Sequence, residues 1–587
     1  MRYKRLLRGA AIATPVTLVA MSAVALPAAA EAQTTARAAA PAAVQPPLTS
    51  AQAAALSTNV TDKVIVVFKN QFAGTADTPS NATARAADVS STQSSVMTQL
   101  SQTHAANVKS FSLINAVSAT VSPGEATHLA GNPAVSEVVP DLPIPLQGSD
   151  SPVTIAHTAA TASGLTPLPG ACTTGKTVQL DPEAIENIHA ATQSGTGDAA
   201  QALGYTGSGV KVAFIADGVN PDNPDFIRAN GQHVFVDYQD FSGAGTNAPT
   251  DGGEAFLDSS SIAAQGREVY NVAGYGVGLS TACKIRILGV APGASLVGLN
   301  VFGQAEDAYD SVFLEALNYA VNHDHVNVVN ESFGDNPFPD SASLDLTELA
   351  NDAAVKAGVT ITVSSGDAGP TNTIGSPATD PNIISAGAST TYRAYAQSGV
   401  GDITAPGVKG WIDNNISGLS SGGFAENGST VDVVAPGDLN WALCTANPAM
   451  YADCTDFNGN GSSVELTGGT SEAAPLTAGT AALVIQAYRK AHSGATPSPA
   501  VVKQIIVSTA ENINAPGDQQ GAGMIDAYAA VLAAKSYHVK PTGAGHAILE
   551  SATQLNAAGQ PGTTEKFNET LTNDGAGSVT VDRKSVV

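Results

Sequence analysis

Positive charge is scarce in this chain: 26 Lys and Arg stand against 51 Asp and Glu over 587 residues, a formal net charge of −25. That balance argues against nucleic acid or an anionic membrane as partner, because both call for a basic face. Cysteine is scarce too, at four, and no two form a Cys-x-x-Cys pair, so zinc and dithiol redox chemistry have no footing. Beyond the N-terminus no stretch is apolar enough to span a bilayer.

What is present is length and apolar content, 43% hydrophobic residues, enough for a large core with accessory segments. Met1 to Arg8 is basic, Ala10 to Leu26 apolar and Pro27 to Ala32 small, which reads as an export signal over residues 1–32 and predicts a secreted, extracellular protein. The acidic composition suits solubility in an acidic or salty exterior. Four cysteines suit an oxidising compartment. Cys444 and Cys454 flank Asn447-Pro448 and are expected to bridge a loop, leaving Cys172 to pair with Cys283.

The densest signal is Gly468-Gly469-Thr470-Ser471-Glu472-Ala473-Ala474-Pro475, running into the apolar helical stretch Leu476 to Tyr488. A glycine pair lets the backbone turn tightly, which puts Ser471 at a helix N-terminus where free N–H groups and the positive dipole end stabilise an oxyanion. Taken alone, the octapeptide is also readable as a small-residue helix start. Four further segments decide. Gly209 to Val219 is an apolar run ending in Asp217-Gly218, a buried parallel strand with an acid at its C-terminal edge. Gly358 to Gly369 is a second such strand, ending in Ser365-Gly366-Asp367. Ala435-Pro436-Gly437 and Gly521 to Ala527 bracket the serine.

In this order the segments resemble the subtilisin-like and sedolisin-like serine peptidases, over roughly residues 200 to 535. The resemblance implies an α/β, three-layer fold with a mainly parallel sheet, a nucleophilic Ser471, a triad acid at Asp217 and an oxyanion-hole side chain at position 367, where subtilisins have Asn and this chain has Asp. One expected residue is missing. Subtilisins carry His-Gly-Thr-His on the helix after the first strand, and none of the ten histidines here has that context. His233 lies between that strand and the helix but lacks the Gly-Thr and reads as a surface or packing histidine. The helix begins Gly253-Glu254-Ala255-Phe256-Leu257-Asp258, with Asp258 in the histidine slot.

Sedolisins share the fold and use Glu-x-x-x-Asp on this helix with an Asp in the oxyanion hole. Glu254, Asp258 and Asp367 fit both halves of that signature. Four-residue spacing puts Glu254 and Asp258 on one helix face, near enough to share a proton and titrate as a unit. The chain departs from sedolisins in keeping Asp217 and in lacking a clear counterpart of their calcium site. No cofactor is expected. Calcium finds no clear site: the nearest match, Asp456 to Gly461, is half an EF-hand loop with Glu465 two positions early, and reads as a polar turn.

Ahead of the core, Asp62 to Lys69, a polar helix near 91–108, a strand Phe111 to Val121, a helix opened by Ser122-Pro123-Gly124-Glu125 and a strand Val135 to Pro140 resemble the α+β, ferredoxin-like inhibitor propeptide of subtilisins. The resulting layout is a propeptide over 60–145, a linker and mature start over 146–199, a peptidase domain over 200–535 and the beginning of a β-sandwich over 540–587. Within the core, Leu296 to Phe302, Val326 to Asn330 and Ile383 to Ala388 read as strands, and Asp307 to Val321, Leu344 to Lys356 and Ser498 to Thr509 as helices. Ser332 and Gly334, in Asn330-Glu331-Ser332-Phe333-Gly334, resemble the family's substrate-binding strand edge.

The function expected is a secreted serine endopeptidase: Ser471 attacks, Glu254 takes its proton, Asp258 and Asp217 orient that base, and protonated Asp367 donates to the oxyanion. Its partners would be protein or peptide substrates and its own propeptide, acting as a monomer. Two other readings remain: an enzyme with Asp258 itself as base and Asp217 behind it, and a catalytically inactive homologue serving as a secreted or surface binding protein.

Overall fold

The structure, a computed structural model, describes residues 46–145, 170–173, 176–245, 250, 253–272, 283–304, 307–334, 345–398, 413–425, 427–447, 449–452, 454–456, 459–539, 548–556, 562–575 and 577–578. The segment read as an export signal lies outside them, as do residues 146–169 of the expected linker.

The N-terminal unit runs β1 (Asp62–Phe68), α1 (Ala82–Gln102), β2 (Ala106–Phe111), β3 (Ala116–Val121), α2 (Pro123–Ala130) and β4 (Val135–Pro140). Its sheet is antiparallel, in the order β2-β3-β1-β4. The unbroken apolar run of β1 has a simple cause: both its faces are covered. Val64, Val66 and Phe68 pack with Val96, Leu100 and Leu129 of the two helices, whereas Ile65 and Val67 belong to the cluster containing Phe313 and Leu317 of the next unit. The helix expected near 91–108 instead starts at Ala82 and stops at Gln102, because Arg85 and Val89 are buried and His104 and Asn107 take positive φ. The single strand expected over Phe111 to Val121 is split by a reversal. Arg85 causes it, donating to the carbonyls of Ser112 and Leu113, each at 2.8 Å.

A short strand, β5 (Pro143–Pro145), leaves this unit. The central sheet is formed by β6 (Lys211–Ala216), β7 (Phe235–Asp240), β8 (Ser295–Asn300), β10 (Val328–Glu331), β11 (Thr360–Ser364), β12 (Ile384–Ala388) and β13 (Val433–Ala435). All its pairings are parallel, in the order β13-β12-β11-β10-β6-β8-β7. Helices cover both faces: α3 (Glu254–Ala263), α6 (Thr470–Ala491), α7 (Pro499–Ser508) and α8 (Ala527–Ser536) join one cluster, and α4 (Asp310–Tyr319) with α5 (Leu346–Ala357) the other. The sequence placed one helix over Asp307 to Val321. Its first residues are instead β9 (Asp307–Tyr309), pulled into extended form by antiparallel pairing with β5, and its end relaxes into a π-turn, Ala320–Asp324. Disulfides join Cys172 to Cys283 and Cys444 to Cys454. Near the C-terminus the described residues form one antiparallel pair, β14 (Ile548–Glu550) with β15 (Leu571–Asn573).

The N-terminal unit docks on α4. Asn318 accepts from the backbone N–H groups of Ser112 (3.1 Å) and Leu113 (2.9 Å), Lys109 pairs with Glu315, and Asp141 accepts from both Ser311 N (2.9 Å) and Ser311 Oγ (2.7 Å), capping the helix. Ile144, 8% exposed, sits in the cluster with Phe302, Phe313 and Phe333. Burying such a side chain contributes about 1.5–3 kcal/mol.

Candidate active site

Helix α6 begins at the sheet's C-terminal edge and passes through the core, with every residue from Thr470 to Ala487 buried. Gly469 precedes it at φ 108°, and a Cβ there would lie 2.5 Å from Asp367 Oδ2, so only glycine lets the two segments approach. Pro475 has no N–H to offer the carbonyl of Ser471 four residues back. The hydroxyl of Ser332 stands 3.1 Å from that carbonyl instead. Ser471 itself is 3% exposed, and its Oγ donates to Ser332 O at 3.3 Å.

Opposite, α3 starts at Gly253, in a left-handed conformation (φ 68°) hard against the ring of Tyr451. That ring stacks on Phe256 and belongs to the Cys444–Cys454 loop, so the disulfide loop buttresses the first turn of α3. Asp217, just past β6, holds the same turn. It accepts from Ala255 N at 2.8 Å and from the Thr250 hydroxyl, and burial pushes its carboxyl up to about 6.

Glu254 and Asp258 are both essentially inaccessible to water. Asp258 Oδ1 accepts from Asn330 Nδ2 (2.9 Å) and Ser332 Oγ (2.8 Å), while its Oδ2 and both oxygens of Glu254 are buried without a hydrogen-bond partner. Both carboxyls lie well above their ordinary range. For Glu254 the cause is burial, then the charges of Asp258, Asp217 and Asp367; for Asp258 it is burial, eased by Ser332 and Asn330. A pair so placed carries at most one charge and retains a proton. Asp367, half-buried, accepts at Oδ1 from Thr470 N (2.9 Å) and Thr470 Oγ1 (2.8 Å), directly before Ser471, and burial raises its pKa.

The structure thus brings Ser471, Glu254, Asp258, Asp217, Asp367 and Ser332 to one end of the sheet. Ser332 is fully buried and turned towards Asp258. Gly334 lies apart, lining a cleft of about 240 Å³ with Leu142, Ile144 and Phe333, where a Cβ would meet Ser376 O at 2.6 Å. None of the eight described histidines is buried, and His233 lies on the surface 3.5 Å from Asp222; His157 and His546 are outside the described residues. Sequence reasoning missed Asn330, Thr250 and Glu472. Asn330 and Glu472 stood inside quoted motifs, whereas Thr250 carried no signal. Glu472 is buried beside Asp258, with Ser261 Oγ 2.9 and 2.8 Å from its two oxygens. Among the described residues, two groups have metal-ligand proximity. Cys444 and Cys454 with Glu465 are spoken for by the disulfide, and Asp237, His323 and Asp324 lie near the start of β6, at the other end of the sheet.

A nucleophilic serine at a helix N-terminus, acids at the strand ends and an N-terminal unit whose tail pairs with the short strand β9 define a serine peptidase with a built-in inhibitor domain. Residues 207–524 match the subtilase family and residues 63–147 the peptidase inhibitor I9 family. The chain belongs to the subtilase family, the subtilisin-like serine endopeptidases. Subtilisin NAT of Bacillus subtilis subsp. natto is 28% identical over 335 residues, 55% of this chain and 68% of that protein. Subtilisin-like protease SBT6.1 of Arabidopsis thaliana is 26% identical over 57% of this chain and 27% of its own length. Among solved structures, fervidolysin from Fervidobacterium pennivorans, described as a keratinolytic enzyme related to subtilisin, matches with TM-score 0.51 and 18% identity over 80% of this chain and 60% of that one, a likeness of fold.

Proposed function

We propose that this subtilase is a secreted endopeptidase, active in acid, in which carboxyl groups do the work of the missing histidine. The observation that carries the reading is the Glu254–Asp258 pair, buried without a cation beside Ser471, in a site that no described histidine enters. Ser471 Oγ attacks the peptide carbonyl as its proton passes to Glu254, and Asp258, fixed by Asn330 and Ser332, steadies the base. The oxyanion is met by the N-terminus of α6 and by the proton of Asp367. Glu254 then protonates the departing amine as the C–N bond breaks, and water drawn through the same carboxylate hydrolyses the ester. The substrate would lie extended along β9, in the position that Pro143–Pro145 occupies. Export is proposed from the basic-then-apolar N-terminus; among the described residues no helix is long and apolar enough to cross a membrane.

The pH dependence follows from Asp367. Burial raises its pKa, so the proton it must donate is held in acid and lost as pH rises through that value. Hydrolysis of an unfolded protein, followed across pH, should peak below neutrality and vanish in Ser471→Ala. Asp367→Asn, whose amide donor does not ionise, should carry activity to higher pH. A wild-type profile that climbs to an alkaline plateau would falsify the donor role, and hydrolysis surviving in Ser471→Ala would remove the serine mechanism.

A further inference from the structure

Strand β10 alternates its side chains between two faces. Asn330 and Ser332 turn towards Asp258, and Glu331, between them, turns the other way, towards α5. Glu331 is 0% exposed, as is Asn351 on α5. Asn351 Nδ2 donates to Glu331 Oε2 at 2.8 Å, which leaves two buried atoms with no partner, Glu331 Oε1 and Asn351 Oδ1. They belong to the two groups already joined. An ionised carboxylate has only acceptors to offer, so both would stay unsatisfied. A carboxylic acid cures both at once: its O–H donates to Asn351 Oδ1 while the amide N–H donates back, closing a ring of two hydrogen bonds.

We propose that Glu331 is a positioning residue that stays protonated in the folded enzyme and, through this acid–amide clamp to Asn351, fixes the strand segment from which Asn330 and Ser332 hold Asp258. The surroundings agree with a neutral group. The charged side chains acting on Glu331 are Asp345, the N-cap of α5, and Asp380, in the turn after Pro377, and both are acids. Lys503, which acts on Asp380, is itself paired with Asp432 at 2.8 Å. Burial, with these charges, pushes the Glu331 carboxyl up to about 8. The folded pKa is raised above the unfolded value, so the stability it contributes is complete below about pH 4.5 and declines until the folded group also ionises near 8.

The role in positioning rests on the reading that Asp258 belongs to the working acid pair; the clamp itself does not, and the test separates them. Thermal unfolding of the full chain in a Ser471→Ala background, which excludes self-digestion, compares parent and Glu331→Gln from pH 4 to pH 9. Glutamine reproduces both hydrogen bonds and cannot ionise. Its melting temperature should equal the parent's near pH 4 and exceed it by roughly 2–4 °C at pH 8. A difference that does not change with pH, or a variant less stable at every pH, overturns the clamp. If Glu331→Gln fails to fold, Glu331→Met decides: it has no ionisable group, so its melting temperature must fall less than the parent's between pH 4 and pH 9, and an equal fall overturns the proposal. With Ser471 restored, Glu331→Gln should keep kcat within about twofold, and Glu331→Met should lower kcat about tenfold at unchanged KM. A normal kcat in Glu331→Met with the stability result intact leaves the clamp standing and refutes positioning. Loss of the acid-pair reading itself is reported separately, by near-normal turnover in Asp258→Asn.

Discussion

Glu254→Gln, correctly folded, is expected to turn over substrate about two to four orders of magnitude more slowly than the wild type, the loss typical of a removed general base. Glu254 has the longer side chain, stands one turn before Asp258 on the same face of α3, and feels three neighbouring acids. It can therefore reach towards Ser471 while Asp258 supports it from behind. Asp258→Asn should follow closely, since Asn330 and Ser332 both hold Asp258 and a neutral amide there leaves the base without its partner. Asp217→Asn should be milder, because Asp217 spends its oxygens on Ala255 N and Thr250 and acts on the helix start. The three residues work as a unit, so Glu254→Gln combined with Ser471→Ala should be little worse than Ser471→Ala alone. Near-normal turnover in Glu254→Gln with an inactive Asp217→Asn would reassign the base to Asp258.

The second large effect is on processing. Wild-type protein should lose its N-terminal unit through a cut between Pro140 and Asp181, and Ser471→Ala should remain full length, as intact mass spectrometry will show. The physical ground is the pairing of Pro143–Pro145 with β9, the strand along which a substrate is proposed to lie. If both proteins stay uncut at every pH after long incubation, the chain is an inactive homologue and the carboxyl pair is a relic.

Much of this was legible in sequence, for reasons that differ by element. The strands ending at Asp217 and Ser364 and the Gly-Gly-Thr-Ser helix start declare themselves because buried parallel strands and tight turns leave little freedom of residue type. The Glu254–Asp258 pair was read from the sedolisin resemblance, with Asp367 as its second half, and helix periodicity added only that both acids share one face. What escaped was anything decided across the chain. Asp307–Tyr309 looks helical until β5 arrives to pair with it. Ser112 to Asn115 looks like continuous strand until Arg85 gathers its carbonyls. The hydroxyl of Ser332 faces the carbonyl that Pro475, far along the chain, leaves without an N–H, and no local pattern shows that. Thr250 has no local signature because its role is defined by where Asp217 lands.

The docking of the N-terminal unit on α4 bears on how long the mature enzyme lasts. Asp141 completes the first turn of α4, Asn318 receives two backbone N–H groups from the partner unit, and Ile144, Ile65 and Val67 complete an apolar cluster that otherwise belongs to the core. The predicted cut would sever these contacts from the covalent chain while leaving the finished fold behind. A mature form without these contacts would then persist only through slow unfolding, and its survival would be measured as a half-life rather than as an equilibrium. Denatured mature enzyme should recover activity poorly on its own and should recover when residues 46–145 are supplied in trans. Each molecule would then be folded with its own template and used once, with abundance set by synthesis and inactivation rather than by refolding.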